Sequence, residues 1–358
     1  MRPGILNRYI ARQFTATLTL ILAAFAIIIF LADYVDVLRR FSDRDGFTAL
    51  LGLQLASMRV PILLDTALPF AFLFAALISL LALSRKLELV VARASGVSVW
   101  GFLRAPFALA IVFGAAGTMF LNPAAVDLKA KAEQAEAELG GFKSRLEGRW
   151  FRQEGAAGPS IVYADAASSD GLALFGVTAF VFSPEGEFRE KVTAARADHT
   201  QDHWILADAL LVPAARAPEQ MDRYELPTAL SAAELSRNFI GAEASSIWSL
   251  PGFIDTAART GVNPDRFRVA FHALINRPFF LLAMVMIAAT VSLRLTRYGG
   301  TWRLVLTGAA IGFLLYALTG IVSDLGGNGI IDPVLAAWLP PLTALILGAT
   351  ALLHQEDG

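Results

Sequence analysis

Six apolar runs, each long enough to cross a hydrocarbon core of about 30 Å as a helix, fall in two groups of three on either side of a polar stretch. The first group covers residues 13–32, 60–84 and 105–126; the second covers 269–293, 304–323 and 333–355. Asp65 and Arg277 are the only Asp, Glu, Lys or Arg within them. Backbone polar groups in lipid must bond inside the protein, so each run is expected to be a helix. The chain thus reads as residues 1–126 with three spans, 127–268 as an outer domain, and 269–358 with three more spans.

Charge sets the orientation. Residues 127–268 hold 21 of the 31 acidic residues but only 15 of the 30 basic ones, so the formal net charge of −1 hides a basic remainder. Arg2, Arg8 and Arg12 precede the first span; Arg85, Lys86, Arg93 and Arg104 join spans two and three; Arg294, Arg297 and Arg303 join spans four and five. The positive-inside bias predicts that both termini and these two loops are cytoplasmic. The first outer loop mixes Arg39, Arg40, Arg44 and Arg59 with Asp33, Asp36, Asp43 and Asp45. The first run is too long for a signal-peptide core and lacks a small-x-small site after it, so it is expected to stay as an anchor. With no cysteine, disulfides and thiolate chemistry are excluded.

Within the outer domain, residues 124–139 are rich in Ala, Lys, Glu and Gln and stop at Gly140-Gly141, which predicts a helical stalk. The period then shortens. Residues 160–164, 172–182, 188–197, 204–212 and 223–226 are β-branched and aromatic, with turn residues between them, so a β region over about 148–230 is expected as an antiparallel sandwich or jelly roll. A helical return linker follows over 235–268, broken at Leu250-Pro251 and Asn263-Pro264. The run holding Phe175, Val177, Phe180 and Phe182 is apolar on both faces. Such a strand is either packed on both sides or in contact with an apolar ligand.

Catalytic signatures are missing. There is no G-x-x-x-x-G-K-[ST] loop, no H-E-x-x-H and no G-x-S-x-G. His199 and His203 fall in a strand turn, not on one helix face, so no metal site is expected. The chain is not read as an enzyme, and no nucleic-acid partner is expected. More chemistry lies in the loop over residues 84–104. Leu87, Val90, Val91 and Ala94 share helical spacing and predict one apolar face, with Arg85, Glu88 and Arg93 on the others. A short helix ending near Gly96 fits this pattern. It can lie on lipid headgroups, for which basic residues suffice, or dock on a protein, for which the lone acid Glu88 is better suited. Asp65 and Arg277 are costly in lipid and mark either a structural pair or a substrate contact. Lys129 and Lys131 on the stalk either meet an anionic headgroup or pair with Glu133 and Glu136 as solvated helix surface.

The three-plus-three spans around a β domain, Leu6-Asn7-Arg8-Tyr9-Ile10 before span one, and Glu88-Leu89-Val90-Val91-Ala92-Arg93-Ala94-Ser95-Gly96 after span two resemble the LptF/LptG permease family of the lipopolysaccharide exporter. The Glu-Leu-Val-Val form and Gly148-x-Trp150 are similar to LptG more than to LptF. The resemblance implies an α-helical inner-membrane protein with six transmembrane helices and a periplasmic antiparallel β jelly roll inserted between helices three and four. It implies an ABC transporter permease in outer-membrane biogenesis, paired with an LptF-like permease. ATP and magnesium would be held by an LptB ATPase dimer and no cofactor by this chain. Glu88 would be the coupling acid, supported by Arg93, Leu87 and Val91. Spans one and five would line the lipid cavity, and the jelly roll would pass lipopolysaccharide to LptC and LptA along a slide including Phe175, Val177, Phe180 and Phe182. Lys131 matches a basic stalk position linked to the lipid's phosphates, a second such position falls on Gln134, and Asp33 stands where a basic residue can occur. Lys129, Arg39 and Arg40 complete the headgroup candidates.

Two other classes compete: a membrane sensor or scaffold whose β domain binds a ligand, which needs no acid at Glu88, and a lipoprotein-release permease, which has four spans per subunit.

Overall fold

A computed structural model describes residues 3–42, 44, 46–85, 88–94, 96–138, 149–155, 158–167, 172–184, 186–200, 202–214, 216–230, 245–259, 263–293 and 301–357. The long helices are α1 (Pro3–Phe41), α2 (Ala49–Arg85), α4 (Val99–Ala116), continued by a π-turn (Gly117–Leu121) and α5 (Asn122–Glu138), then α7 (Asp265–Ser292), α8 (Thr301–Gly327) and α9 (Pro333–Asp357). Two shorter ones, α3 (Glu88–Ala94) and α6 (Leu250–Arg259), lie between them. Six helices are long and apolar enough to cross a membrane, as the six runs predicted. The chain forms two compact units: residues 1–33, 59–128 and 245–358, and residues 34–58 and 129–244.

The first unit is built around spans two and four. Of their most apolar windows 67% and 56% is buried, against 11% for span one and 17% for span five. Phe14, Phe72, Leu73, Leu77, Leu281, Met284 and Val285 form its main apolar cluster. Small residues let the helices close on one another: a Cβ at Gly114 would come 2.5 Å from the Cα of Pro278, and one at Gly308 would come 2.8 Å from Leu77.

Pro278 sits inside α7 and has no N–H, so the carbonyl of Leu274 loses its helical donor. Thr118, in the π-turn of span three, donates its hydroxyl to that carbonyl at 2.9 Å. Just beyond, Asn122 accepts from the Ile247 N–H at 3.0 Å, and the Trp248 indole donates to the Met119 carbonyl at 3.3 Å. The irregular stretch of span three therefore supplies the donor that the backbone of span four lacks, while Ile247 and Trp248 bond to the irregular stretch itself. Thr118→Val keeps the shape and removes the donor. It is expected to lower the stability of the detergent-solubilised chain by about 1–3 kcal/mol, read as a lower unfolding midpoint.

In the second unit, the outer parts of α1 and α2 pack with α5 through Val37, Phe41, Leu55 and Ala132. The sheet has six antiparallel strands: β1 (Arg149–Gly155), β2 (Gly158–Ala167), β3 (Ala173–Phe182), β4 (Phe188–Thr200), β5 (His203–Pro213) and β6 (Glu219–Pro227). The expected antiparallel domain between the third and fourth spans is there. Its described strands follow one another in chain order, so their connections are those of a meander.

One face collects Val162, Ala164, Leu174, Val177, Ala179, Val192, Trp204, Leu206 and Leu226 into a buried core. Alternation along three strands slips at one transverse line: Leu174 and Val177, Ala194 and Ala197, and Leu206 and Ala209 are each buried three residues apart instead of two. Gly176 (φ +59°) and Asp208 (φ +50°) lie in those gaps, where a left-handed residue re-aims the strand.

Curling brings β1 beside β6 at Gly155 and Pro227. There the buried Gln153 accepts from the Trp204 indole (3.1 Å) and the Thr228 hydroxyl (2.8 Å). Gln153→Leu strands both donors inside an apolar core and is expected to cost about 1–3 kcal/mol for each group left unpaired. A thermal melt followed through the sheet signal checks it. Across the sheet, Tyr224 donates to Glu190 at 2.6 Å. Burial first, then this bond, pushes the Tyr224 hydroxyl well above the ordinary phenol range, so it stays protonated.

Candidate functional site

The loop after span two folds into α3, of seven residues. Its end is closed by Gly96 at φ +85°, which lets the Val97 N–H donate to the Ala92 carbonyl at 3.1 Å, the glycine-terminated helix stop expected near Gly96. Ser98 then caps α4 by accepting from the Gly101 N–H at 3.3 Å. Ala92 is buried in a cluster with Ile10, Leu80, Leu83, Val99, Phe102, Leu103, Met286, Leu293 and Leu352, so α3 is seated on side chains of five spans.

The members of the expected apolar face that the structure describes are left uncovered. Val91 is 66% exposed and Ala94 is exposed, while Ala92 is turned inward. Leu87, the side chain of Val90 and the side chain of Arg93 lie outside the described residues. Glu88 is half-buried and accepts from the Tyr9 hydroxyl at 3.3 Å. The site therefore presents a carboxylate and, one turn along, an uncovered apolar side chain on a helix anchored from below.

The charges within the spans resolve into a pair. Arg277 on α7 bridges the Asp65 carboxylate on α2 and also donates to the Asp65 carbonyl at 3.2 Å, with side chains 11% and 15% exposed. Of the two roles left open for them, the structure displays the pairing. Further out on the same helix, Arg59 reaches Asp33 of α1 at 3.8 Å. Where the resemblance led one to look for a cation, this chain thus has a buried acid beside Arg59.

The four outer cations differ in what already holds them. Arg40 is taken up by Asp36 (3.0 Å) and Glu136 (3.8 Å), and Lys129 by Glu133 (3.7 Å). Arg39 and Lys131 are exposed and make no ion pair among the described residues. Gln134's side chain lies outside them.

The four slide candidates do not share a face. Val177 belongs to the buried core of the rolled sheet. Phe180 and Phe182 are on the opposite side, in ring contact with Phe188 at 6.4 and 6.0 Å, with Lys191 over Phe180, while Phe175 lies under Arg196. The change of phase at Gly176 moves Phe175 off the inner face, and the core is lined instead by Ala164, Ala179, Ala194, Ala197 and Ala209.

Sequence reasoning assigned no role to Tyr9, Thr118 or Gln153. Only Tyr9 carried a signal, because it stands within the Leu6–Ile10 motif. Among the described residues, no group of three or more His, Cys, Asp or Glu is placed to hold a metal.

Residues 8–354 match the family described as lipopolysaccharide export system permease LptF/LptG. The chain is 25% identical to the lipopolysaccharide export system permease protein LptG of Escherichia coli strain K12, over 99% of this chain and all of that protein. The same identity and coverage hold for the protein of that name from Escherichia coli O6:H1.

Proposed function

Because the chain belongs to the LptF/LptG family of lipopolysaccharide export permeases, a multi-pass inner-membrane family of transporter subunits, we propose that it is the LptG-type member of its exporter. In this reading it pairs with an LptF-like permease, and each docks one subunit of an LptB ATPase dimer that holds ATP and magnesium. Both termini and α3 face the cytoplasm, and the β domain stands in the periplasm. Lipopolysaccharide leaves the outer leaflet of the inner membrane through a cavity between the two permeases and moves on to LptC and LptA.

The observation that carries this reading is α3 itself: a half-buried carboxylate, Glu88, and the exposed Val91 on a short helix that is anchored in the core through Ala92. A helix resting on lipid headgroups would have little use for a carboxylate there, whereas a protein partner's cation would. The wide uncovered faces of spans one and five support a second permease as neighbour. Arg39 and Lys131, being free of ion pairs among the described residues, are the first choices for the lipid's phosphates, ahead of Arg40 and Lys129.

Physical chemistry explains why such a machine needs both a membrane cavity and a covered route. Each acyl methylene moved into water would cost about 0.8 kcal/mol, so the chains must stay enclosed on leaving the bilayer. The test is co-expression with LptF, LptB and LptC candidates, purification through a tag on this chain, and measurement of ATP hydrolysis with and without lipopolysaccharide. Copurification with lipid-responsive hydrolysis is the expected result; a chain recovered alone and inert would overturn the reading.

A further inference from the structure

We propose that Tyr9 is the positioning residue for Glu88, and that through it span one takes up the movement of the docked ATPase alongside the hairpin that carries α3. The proposal rests on the reading of α3 as the docking helix.

Three observations converge on it. First, Glu88 and Ala92 are one turn apart on α3 and so lie on the same side of that helix. The Tyr9 hydroxyl of α1 donates to the Glu88 Oε1 on that side at 3.3 Å, and the next residue of α1, Ile10, belongs to the same buried cluster as Ala92. Span one thus bonds α3 directly through Tyr9 and shares a buried apolar cluster with it. Second, the hydrogen bond to Oε1 restricts the rotamers of the Glu88 side chain without occupying Oε2. Without it, the side chain would sample several rotamers on a half-exposed helix. Third, α1 is one unbroken helix of 39 residues, a rod of about 58 Å at 1.5 Å per residue. It is also the least buried of the six spans. Next to Tyr9 it is packed through the buried Ile10, Phe14 and Leu18, and over residues 19–32 it has no buried residue, so a displacement imposed at the Tyr9 end is carried into a largely uncovered rod. Among the described residues, span five contributes no buried residue to the cluster under α3, whereas span one bonds α3 directly.

The test uses the full complex of this chain with its permease partner and ATPase, reconstituted in vesicles with lipopolysaccharide. Tyr9→Phe, Glu88→Ala and the double variant are compared with the unchanged complex. The readouts are the ATPase concentration giving half-maximal stimulation and the lipid released per ATP hydrolysed. Tyr9→Phe keeps the ring and removes one oxygen, so the complex should assemble as before while lipid released per ATP falls about fivefold, the size of effect expected for losing one hydrogen bond of ordinary strength. In the Glu88→Ala background, Tyr9→Phe should change neither readout further, because it acts through that carboxylate. An unaltered Tyr9→Phe complex, an equal further loss in the Glu88→Ala background, or failure of Tyr9→Phe to assemble would each overturn the positioning role. An unchanged complex whose hydrolysis ignores both lipid and Glu88→Ala would instead overturn the docking reading beneath it.

Discussion

Glu88→Ala lowers lipid export by roughly tenfold or more in vesicles, while the chain itself stays folded and in the membrane. The size follows from the role proposed for the carboxylate. Removing one member of a hydrogen-bonded charge pair buried at an interface costs about 2–5 kcal/mol, much of it from the partner charge left unmatched. Little of the effect should come from the fold, because Glu88 is half-buried and the Tyr9 hydroxyl is its partner among the described residues. Two controls sharpen the result. Glu88→Gln keeps the shape and the bond to Tyr9 and should still lose most of the export, since the partner's cation needs the charge. A change at the exposed Phe120 on span three should leave export unaltered. Normal export by an assembled Glu88→Ala complex would remove Glu88 from the coupling path.

The second large effect is on stability. Arg277→Met leaves the Asp65 carboxylate buried without its counter-ion, and breaking a buried pair from one side costs about 3–5 kcal/mol. The double change Asp65→Leu with Arg277→Met removes both charges and should recover most of that loss, because desolvation of the pair disappears with it. Unfolding midpoints in detergent of the two single variants and the double variant close the cycle. If the pair is purely structural, the double variant also exports lipid normally. A double variant as unstable as the single ones would mean that the two charges do not answer to each other in the folded protein.

The six spans, the antiparallel domain between the third and fourth, and the helix stop at Gly96 were legible because each rests on a local rule: run length against bilayer thickness, strand period with turn residues, and glycine's tolerance of positive φ. The pairing of Asp65 with Arg277 was open to inference from cost alone, since neither charge could stand in lipid unmatched. What escaped the sequence depends on contacts between distant residues. That Ala92 is the residue of α3 turned into the buried cluster with Ile10 and Leu352 was not foreseen, because a seven-residue helix has too few positions to show which side its distant neighbours will cover. The slide candidates came from a run apolar on both faces, which does not say which face turns inward, and the slip in phase at Gly176 put Val177 inside and Phe180 outside. Thr118 came to matter only because Pro278, 160 positions away in the chain, frees a carbonyl beside it.

The central claim is that α3 offers its exposed side to the ATPase and not to lipid. A photo-crosslinking residue placed at Val91, 66% exposed, and a control at Val112 of span three, 60% exposed, tests it directly in membranes containing the whole complex. The account predicts that the probe at Val91 captures the ATPase subunit and the probe at Val112 does not. Capture of lipid alone at both positions would contradict it.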